Sequence, residues 1–105
     1  MIVAKTLAEG LPENVCLNVN FPSSAPYKGV RVCRQARGEW TNEWKKCEHP
    51  RGGYYYWLTG DYSDSEPFCL DVDFHALRNG FVTITPVNVD VTAYGAIETI
   101  KDWGL

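Results

Sequence analysis

Five carboxylates, Asp61, Asp64, Glu66, Asp71 and Asp73, fall within residues 61–73 and form the densest set of hard oxygen donors in the chain. Hydrolysis of a phosphoester with a divalent metal needs such oxygens to converge on an open site, beside donors for the phosphate. The spacing here does not build a calcium-type loop, because no D-x-[DN]-x-[DN]-G run with a following glutamate occurs. A solvated acidic loop accounts for the same residues. The two histidines, His49 and His75, lie far apart in sequence and outside any H-x-x-x-H pattern. An exposed imidazole can act as acid or base near neutral pH, but a turn role for His49 and a helix-packing role for His75 explain both. Ser23, Ser24, Ser63 and Ser65 lie in loops with no paired base, and no G-x-S-x-G, P-loop or G-x-G-x-x-G run is present. No residue is assigned as catalytic or as a metal ligand.

A second pattern interleaves cations with aromatic rings. Arg31, Arg34, Arg37, Lys45, Lys46 and Arg51 accompany Trp40, Trp44, Tyr54, Tyr55, Tyr56 and Trp57. That is the composition of a platform for single-stranded nucleic acid. Against it stand the net charge of −3, the interspersed Glu39, Glu43 and Glu48, and the lack of any RNP, KH or OB signature. Nucleotide or single-stranded nucleic-acid binding through residues 31–57 is therefore an alternative, not the first expectation. Charge is also divided along the chain. Residues 28–51 carry seven basic and three acidic groups, whereas residues 52–105 carry two basic and eight acidic ones. Opposite signs in neighbouring segments suit self-association or a mutually screened surface better than an extended anionic partner.

These groups must be positioned by a small scaffold. With 105 residues, 45% hydrophobic and 22% charged, the chain reads as one globular domain over residues 1–105. No apolar run approaches the roughly 18 residues of a membrane span, and no basic-then-apolar start suggests a signal peptide. Cys16, Cys33, Cys47 and Cys69 contain no C-x-x-C pair, so reduced structural thiols in a cytoplasmic protein are expected.

Ile2, Val3, Ala4, Leu7 and Ala8 have helical spacing, closed by Gly10-Leu11-Pro12. Met1 then sits inside what reads as the last two turns of a helix without a cap, so the chain is expected to start part-way through a longer protein. Val15, Leu17, Val19 and Phe21 alternate with polar residues as in a half-buried strand, and Val30 and Val32 begin a second one. Residues 40–48 and 54–58 flank His49-Pro-Arg-Gly-Gly53, which predicts a hairpin with a five-residue loop. Asp73 is expected to cap a short helix that Asn79-Gly80 stops. Along residues 81–91 the apolar parity switches at Pro86, which predicts a bulge or bend at an edge position. Thr92 is expected to cap a last helix whose stripe of Ala93, Ala96, Ile97, Ile100 and Trp103 needs something to dock against. The predicted class is α+β: mostly antiparallel strands, a projecting β-hairpin at about 40–58, and short helices at both ends.

Four stretches carry a family resemblance. They are Leu17-Asn-Val-Asn-Phe-Pro22, Gly29-Val-Arg-Val-Cys-Arg-Gln35, His49-Pro-Arg-Gly-Gly-Tyr-Tyr-Tyr-Trp57 and Asp73-Phe-His-Ala-Leu-Arg-Asn-Gly-Phe-Val-Thr-Ile-Thr-Pro86, the last continuing to Asp90-Val-Thr92. In this order they resemble the C-terminal part of the SurE family of 5'/3'-nucleotidases. The chain departs from the family pattern at Cys33-Arg-Gln-Ala36, at Asp71-Val-Asp73 and at Gly53. The resemblance implies a Rossmann-like N-terminal half that holds the metal and phosphate groups, beginning with an Asn-Asp-Asp-Gly stretch that this chain lacks. It implies Mg or Mn as the cofactor of the whole enzyme, nucleoside monophosphates as its substrates, and no cofactor in this chain. It also implies dimers or tetramers built with a hairpin and an exchanged C-terminal helix, which makes Trp40, Trp44, Tyr54, Tyr55, Tyr56 and Trp57 the expected subunit contact. Three readings follow: a C-terminal portion of such an enzyme that serves assembly and access and is inactive alone; a free-standing oligomerisation or binding module; and the nucleic-acid reading above. No membrane association is expected.

Overall fold

The computed structural model describes residues 1–104. In chain order the elements are helix α1 (Ile2–Glu9), strands β1 (Val15–Asn20), β2 (Val30–Val32), β3 (Glu39–Thr41), β4 (Trp44–Glu48), β5 (Tyr54–Leu58) and β6 (Asp61–Ser63), helix α2 (Asp73–Arg78), strand β7 (Val82–Asn88) and helix α3 (Tyr94–Lys101). The class is α+β, as the alternation patterns and the short terminal helices predict.

The centre is a three-stranded sheet in the order β1-β7-β2. β1 runs antiparallel to β7, with Asn18 opposite Thr85 and Val19 opposite Ile84. β2 runs parallel to β7, with Val30 opposite Val82 and Val32 opposite Ile84. Paired residues share a face, so this register sorts the side chains cleanly. One face collects Leu17, Val19, Val30, Val32, Val82 and Ile84. The other collects Asn18, Asn20, Thr83, Thr85 and Arg31, and α2 packs over it. Thr83 and Thr85 are buried there.

Pro86 does not produce the expected bulge. β7 is the central strand, and its register against β1 runs through Leu17 opposite Pro86 without interruption. Val82 donates its N–H to Gly29 and Ile84 accepts from Cys33, so the even positions bond toward β2. By Pro86 that neighbour has ended, and the missing N–H falls where no strand requires it.

Two further corrections concern caps. Asp73 is the first residue of α2, not its cap, which is Val72. Its Oδ1 accepts from the Ala36 N–H at 3.0 Å and the Phe74 N–H at 2.6 Å, and Oδ2 accepts from Thr85 Oγ1 at 3.4 Å. It therefore ties the segment after β2 to the helix and to the sheet. Thr92 likewise caps nothing; Ala93 occupies that position in α3 without a side-chain bond, and the Thr92 N–H donates to Asp90 Oδ1 at 2.9 Å.

The predicted hairpin is a jointed arm. β4 and β5 pair around the turn, with Lys45 opposite Trp57 and Lys46 opposite Tyr56. Below them β3 and β6 form a separate ribbon, with Trp40 opposite Tyr62. The joint is Asn42, whose φ of +53° interrupts the strand; Asn42 Nδ2 donates to Asp61 Oδ2, and Thr59 N–H to the Glu43 carbonyl at 2.7 Å. Trp40 and Trp44 thus belong to different ribbons.

The arm leaves the chain far from spherical. The radius of gyration is 19.4 Å, whereas a compact domain of this length has about 13 Å. The accessible surface is 8700 Å², against about 5,900 Å² for a compact monomer of this mass. Among the described residues the buried apolar ones are correspondingly few: Cys33, Val72, Ala76 and Val82.

Candidate functional site

Asn18 and Asn20 from β1, Thr83 from β7, Gln35 and Gly38 from the segment after β2, and Trp40 and Tyr62 from the base of the arm line one cleft of about 390 Å³. Asp73, Phe74 and Leu77 of α2 close it. Its wall is aromatic: Tyr62 and Phe74 have ring centroids 4.2 Å apart, and Trp40 and Tyr62 are 5.4 Å apart. Its floor is neutral and polar. Asn20 Nδ2 donates to Asn18 Oδ1 at 3.1 Å, which leaves Asn18 Nδ2 and Asn20 Oδ1 unspent. The buried hydroxyls of Tyr62 and Thr83 find no hydrogen-bond partner among the described residues. Gly38 admits Tyr62 to this position, since a Cβ there would lie 2.6 Å from the Ser63 carbonyl oxygen and inside the tyrosine ring's contact distance. Burial, aided by the charge of Asp64, pushes the Tyr62 phenol up.

The acidic loop is a clamp. Arg31 donates from Nε to the Leu70 carbonyl at 2.9 Å and from a terminal nitrogen to Asp71 at 3.1 Å. Arg34 meets Glu66 at 2.5 Å, and the Arg37 N–H donates to the other Glu66 oxygen at 2.7 Å. The Arg34 bond first, then the Arg37 N–H, hold the Glu66 carboxyl below its ordinary value. Asp64 accepts from His75 Nε2 at 2.7 Å and from the Glu66 N–H at 2.8 Å. Each of the five carboxylates has at least one oxygen bonded to a cation, an amide or a hydroxyl. Among the described residues no three His, Cys, Asp or Glu side chains converge on a common point. The divalent metal implied by the family resemblance does not fit this donor set.

Neither histidine offers a free catalytic nitrogen pair. His75 Nδ1 accepts from the Cys69 N–H at 3.0 Å while Nε2 faces Asp64, and Phe68 stacks on the ring. His49 closes the hairpin turn, its Nδ1 accepting from the Arg51 N–H at 3.1 Å. The cationic strip is not assembled into one surface: Arg31 and Arg34 bind the acidic loop, while Lys45, Lys46 and Arg51 lie on the arm. The six rings expected to carry a subunit contact remain exposed, from 40% for Tyr55 to 65% for Trp44. Register puts Tyr55 and Trp57 on one face of the ribbon and Trp44, Tyr54 and Tyr56 on the other. All four cysteines are free thiols. No helix among the described residues is long and apolar enough to cross a membrane.

Sequence reasoning did not assemble the cleft. The one available signal was a row of polar residues on two strands, Asn18 and Asn20 on β1 and Thr83 and Thr85 on β7. It becomes informative only once the two strands are paired.

No family model matches the chain. The chain is 53% identical over 104 residues to the 5'-nucleotidase SurE of Phocaeicola vulgatus, covering 99% of this chain and 40% of that protein. It is 48% identical over 104 residues to the 5'-nucleotidase SurE of Bacteroides fragilis, covering 99% of this chain and 41% of that protein. Among solved structures it superposes on the SurE protein of Aquifex aeolicus with a TM-score of 0.67 at 33% identity, over 99% of this chain and 42% of that one. The chain thus spans about two-fifths of the length of the curated relatives it matches. Extended similarity in sequence and in backbone agrees with the four ordered stretches, and the chain matches the C-terminal portion of the SurE family.

Proposed function

We propose that this chain is the assembly-forming and active-site-shaping portion of a cytoplasmic, SurE-like, metal-dependent nucleoside monophosphate phosphatase, without hydrolytic activity of its own. One observation carries the reading. The chain presents about 2,800 Å² more accessible surface than a compact monomer of its mass. The aromatic arm, the half-open apolar face of the sheet and the stripe of α3 all lack cover among the described residues. Surfaces of that size and composition suit permanent association. The committed carboxylates and histidines support the non-catalytic half of the proposal, since phosphoryl transfer depends on free oxyanion and metal contacts.

The test is an assay of the purified chain with p-nitrophenyl phosphate and nucleoside monophosphates in excess manganese. Turnover at the level of the buffer blank is expected. Metal-dependent turnover that co-purifies with the chain would overturn the reading.

A further inference from the structure

We propose that the cleft between the sheet, α2 and the base of the arm binds the uncharged heteroaromatic ring of a nucleoside. Three properties of its lining point there. First, it offers stacking surfaces: Trp40 borders it at 59% exposure, with Tyr62 and Phe74 behind. Bases of every kind stack on such rings, because each has a π-face. Second, its polar groups are amides and hydroxyls with unspent capacity. Asn18 Nδ2, Asn20 Oδ1 and the Gln35 side chain form no other hydrogen bond among the described residues. Asparagine and glutamine match the adjacent donor and acceptor on the edge of a base. Third, Thr83 is 1% exposed and its hydroxyl has no partner. A buried hydroxyl without a partner is costly, and a ligand edge entering the cleft would relieve that cost.

The same lining argues against the phosphate end of a nucleotide. Its one charged residue, Asp73, is an anion whose oxygens already accept from Ala36, Phe74 and Thr85. Arg31 and Arg34 are spent on Asp71 and Glu66. The cavity of about 390 Å³ falls within the range of small-ligand sites. The choice of a nucleoside over another planar heterocycle rests on the nucleotidase reading above; the neutrality, flatness and hydrogen-bonding character of the ligand rest on the cleft alone.

The experiment is a titration of the 105-residue chain, followed through the tryptophan indole and side-chain amide resonances. The probes are adenosine, ribose 5-phosphate and inorganic phosphate at millimolar concentration. Adenosine should shift the Trp40 indole and the Asn18, Asn20 and Gln35 amides together, whereas ribose 5-phosphate and phosphate should leave them in place. Trp40→Leu should weaken adenosine binding about tenfold by removing the stacking face. Thr83→Val should weaken it about fivefold by removing a buried donor, and Thr83→Ser should retain it. Should Thr83→Val fail to fold, the exposed Trp40 position decides the matter. Undisturbed resonances at millimolar adenosine, equal shifts from ribose 5-phosphate, or full affinity in Trp40→Leu would each overturn the assignment. The outcome is separable from that of the functional reading: adenosine binding by a monomer leaves the cleft intact and sinks the assembly role. An assembled chain blind to adenosine does the reverse.

Discussion

Removing Tyr55 and Trp57 together, as Tyr55→Ser with Trp57→Ser, tests whether the arm holds subunits together. Their rings share a face, with centroids 6.3 Å apart, and they are 40% and 60% exposed. A buried aromatic side chain removes 150–250 Å² from water, so a subunit contact covering these two would hide about 200 Å² more per copy. At about 25 cal/mol per Å² this is about 5 kcal/mol per copy, and twice that for a two-fold contact in which both arms take part. Association also costs entropy and desolvation, so the area converts to affinity at a discount. With one quarter of it realised, about 2.5 kcal/mol is lost and the dissociation constant rises about 70-fold. Sedimentation of the unaltered chain at micromolar concentration should give a dimer or tetramer, and the double variant should move toward monomer at the same concentration. Tyr55 and Trp57 lie on an exposed ribbon away from the central sheet, so the double variant should unfold at the same urea midpoint as the parent measured at equal subunit dissociation. A clean monomer of 11.9 kDa for the unaltered chain refutes the reasoning. Unchanged assembly in the double variant clears the arm and leaves α3 and the open sheet face as the contact.

Three further outcomes follow from the geometry. Gly38→Ala should cost about 1–3 kcal/mol by urea unfolding, because its Cβ would meet the Ser63 carbonyl and the Tyr62 ring rather than a flexible side-chain end. Glu66 has a carboxyl pKa lowered from an ordinary 4.5, so its clamp is complete above that pH and is lost as pH falls through the lower folded value. The Arg37 amide resonance should titrate in that acidic window, and it should not do so in Glu66→Gln. His75 should be the Nε2–H tautomer when neutral, since Nδ1 accepts from the Cys69 N–H; long-range nitrogen–proton correlation reads this directly, and a protonated Nδ1 would contradict the described loop.

Elements built from local periodicity were legible in the sequence, and those built from long-range pairing were not. β1, the β4–β5 hairpin and α1 follow from alternation, helical spacing and a five-residue turn, each encoded within a few residues. The β3–β6 ribbon escaped because its partners lie on either side of the hairpin and because Asn42 breaks the alternation at the joint. Asp73 had the position of a helix cap but acts on Ala36, 37 residues away. Pro86 had the character of an edge residue and is one only with respect to β2, which stops short of it. The cleft has the same cause: Asn18, Asn20, Thr83 and Thr85 look like solvent-facing strand positions until the β1–β7 register turns them beneath α2. Charge asymmetry was more informative than motif spacing, since the basic and acidic segments do screen one another through Arg31–Asp71 and Arg34–Glu66.

The C-terminal segment leaves an apolar stripe uncovered. α3 has two turns and no buried residue, and Trp103 and Tyr94 are each 66% exposed. Gly95 within it lowers its intrinsic stability by roughly 1 kcal/mol relative to alanine, and helices this short do not persist in water without packing. Ahead of it, Asp90 accepts from the Thr92 N–H and the Tyr94 hydroxyl. The bonds from Thr92 and Tyr94 take its carboxyl down to about 2. That local knot sets the direction in which the helix leaves β7 but cannot supply the apolar surface its stripe lacks. The stripe of Ile97, Ile100 and Trp103 is therefore left without cover among the described residues. The open sheet face beside α1, where Val32 is 69% exposed, is of the matching apolar character, and a helix from a second copy is the occupant that the proposed assembly would place on it.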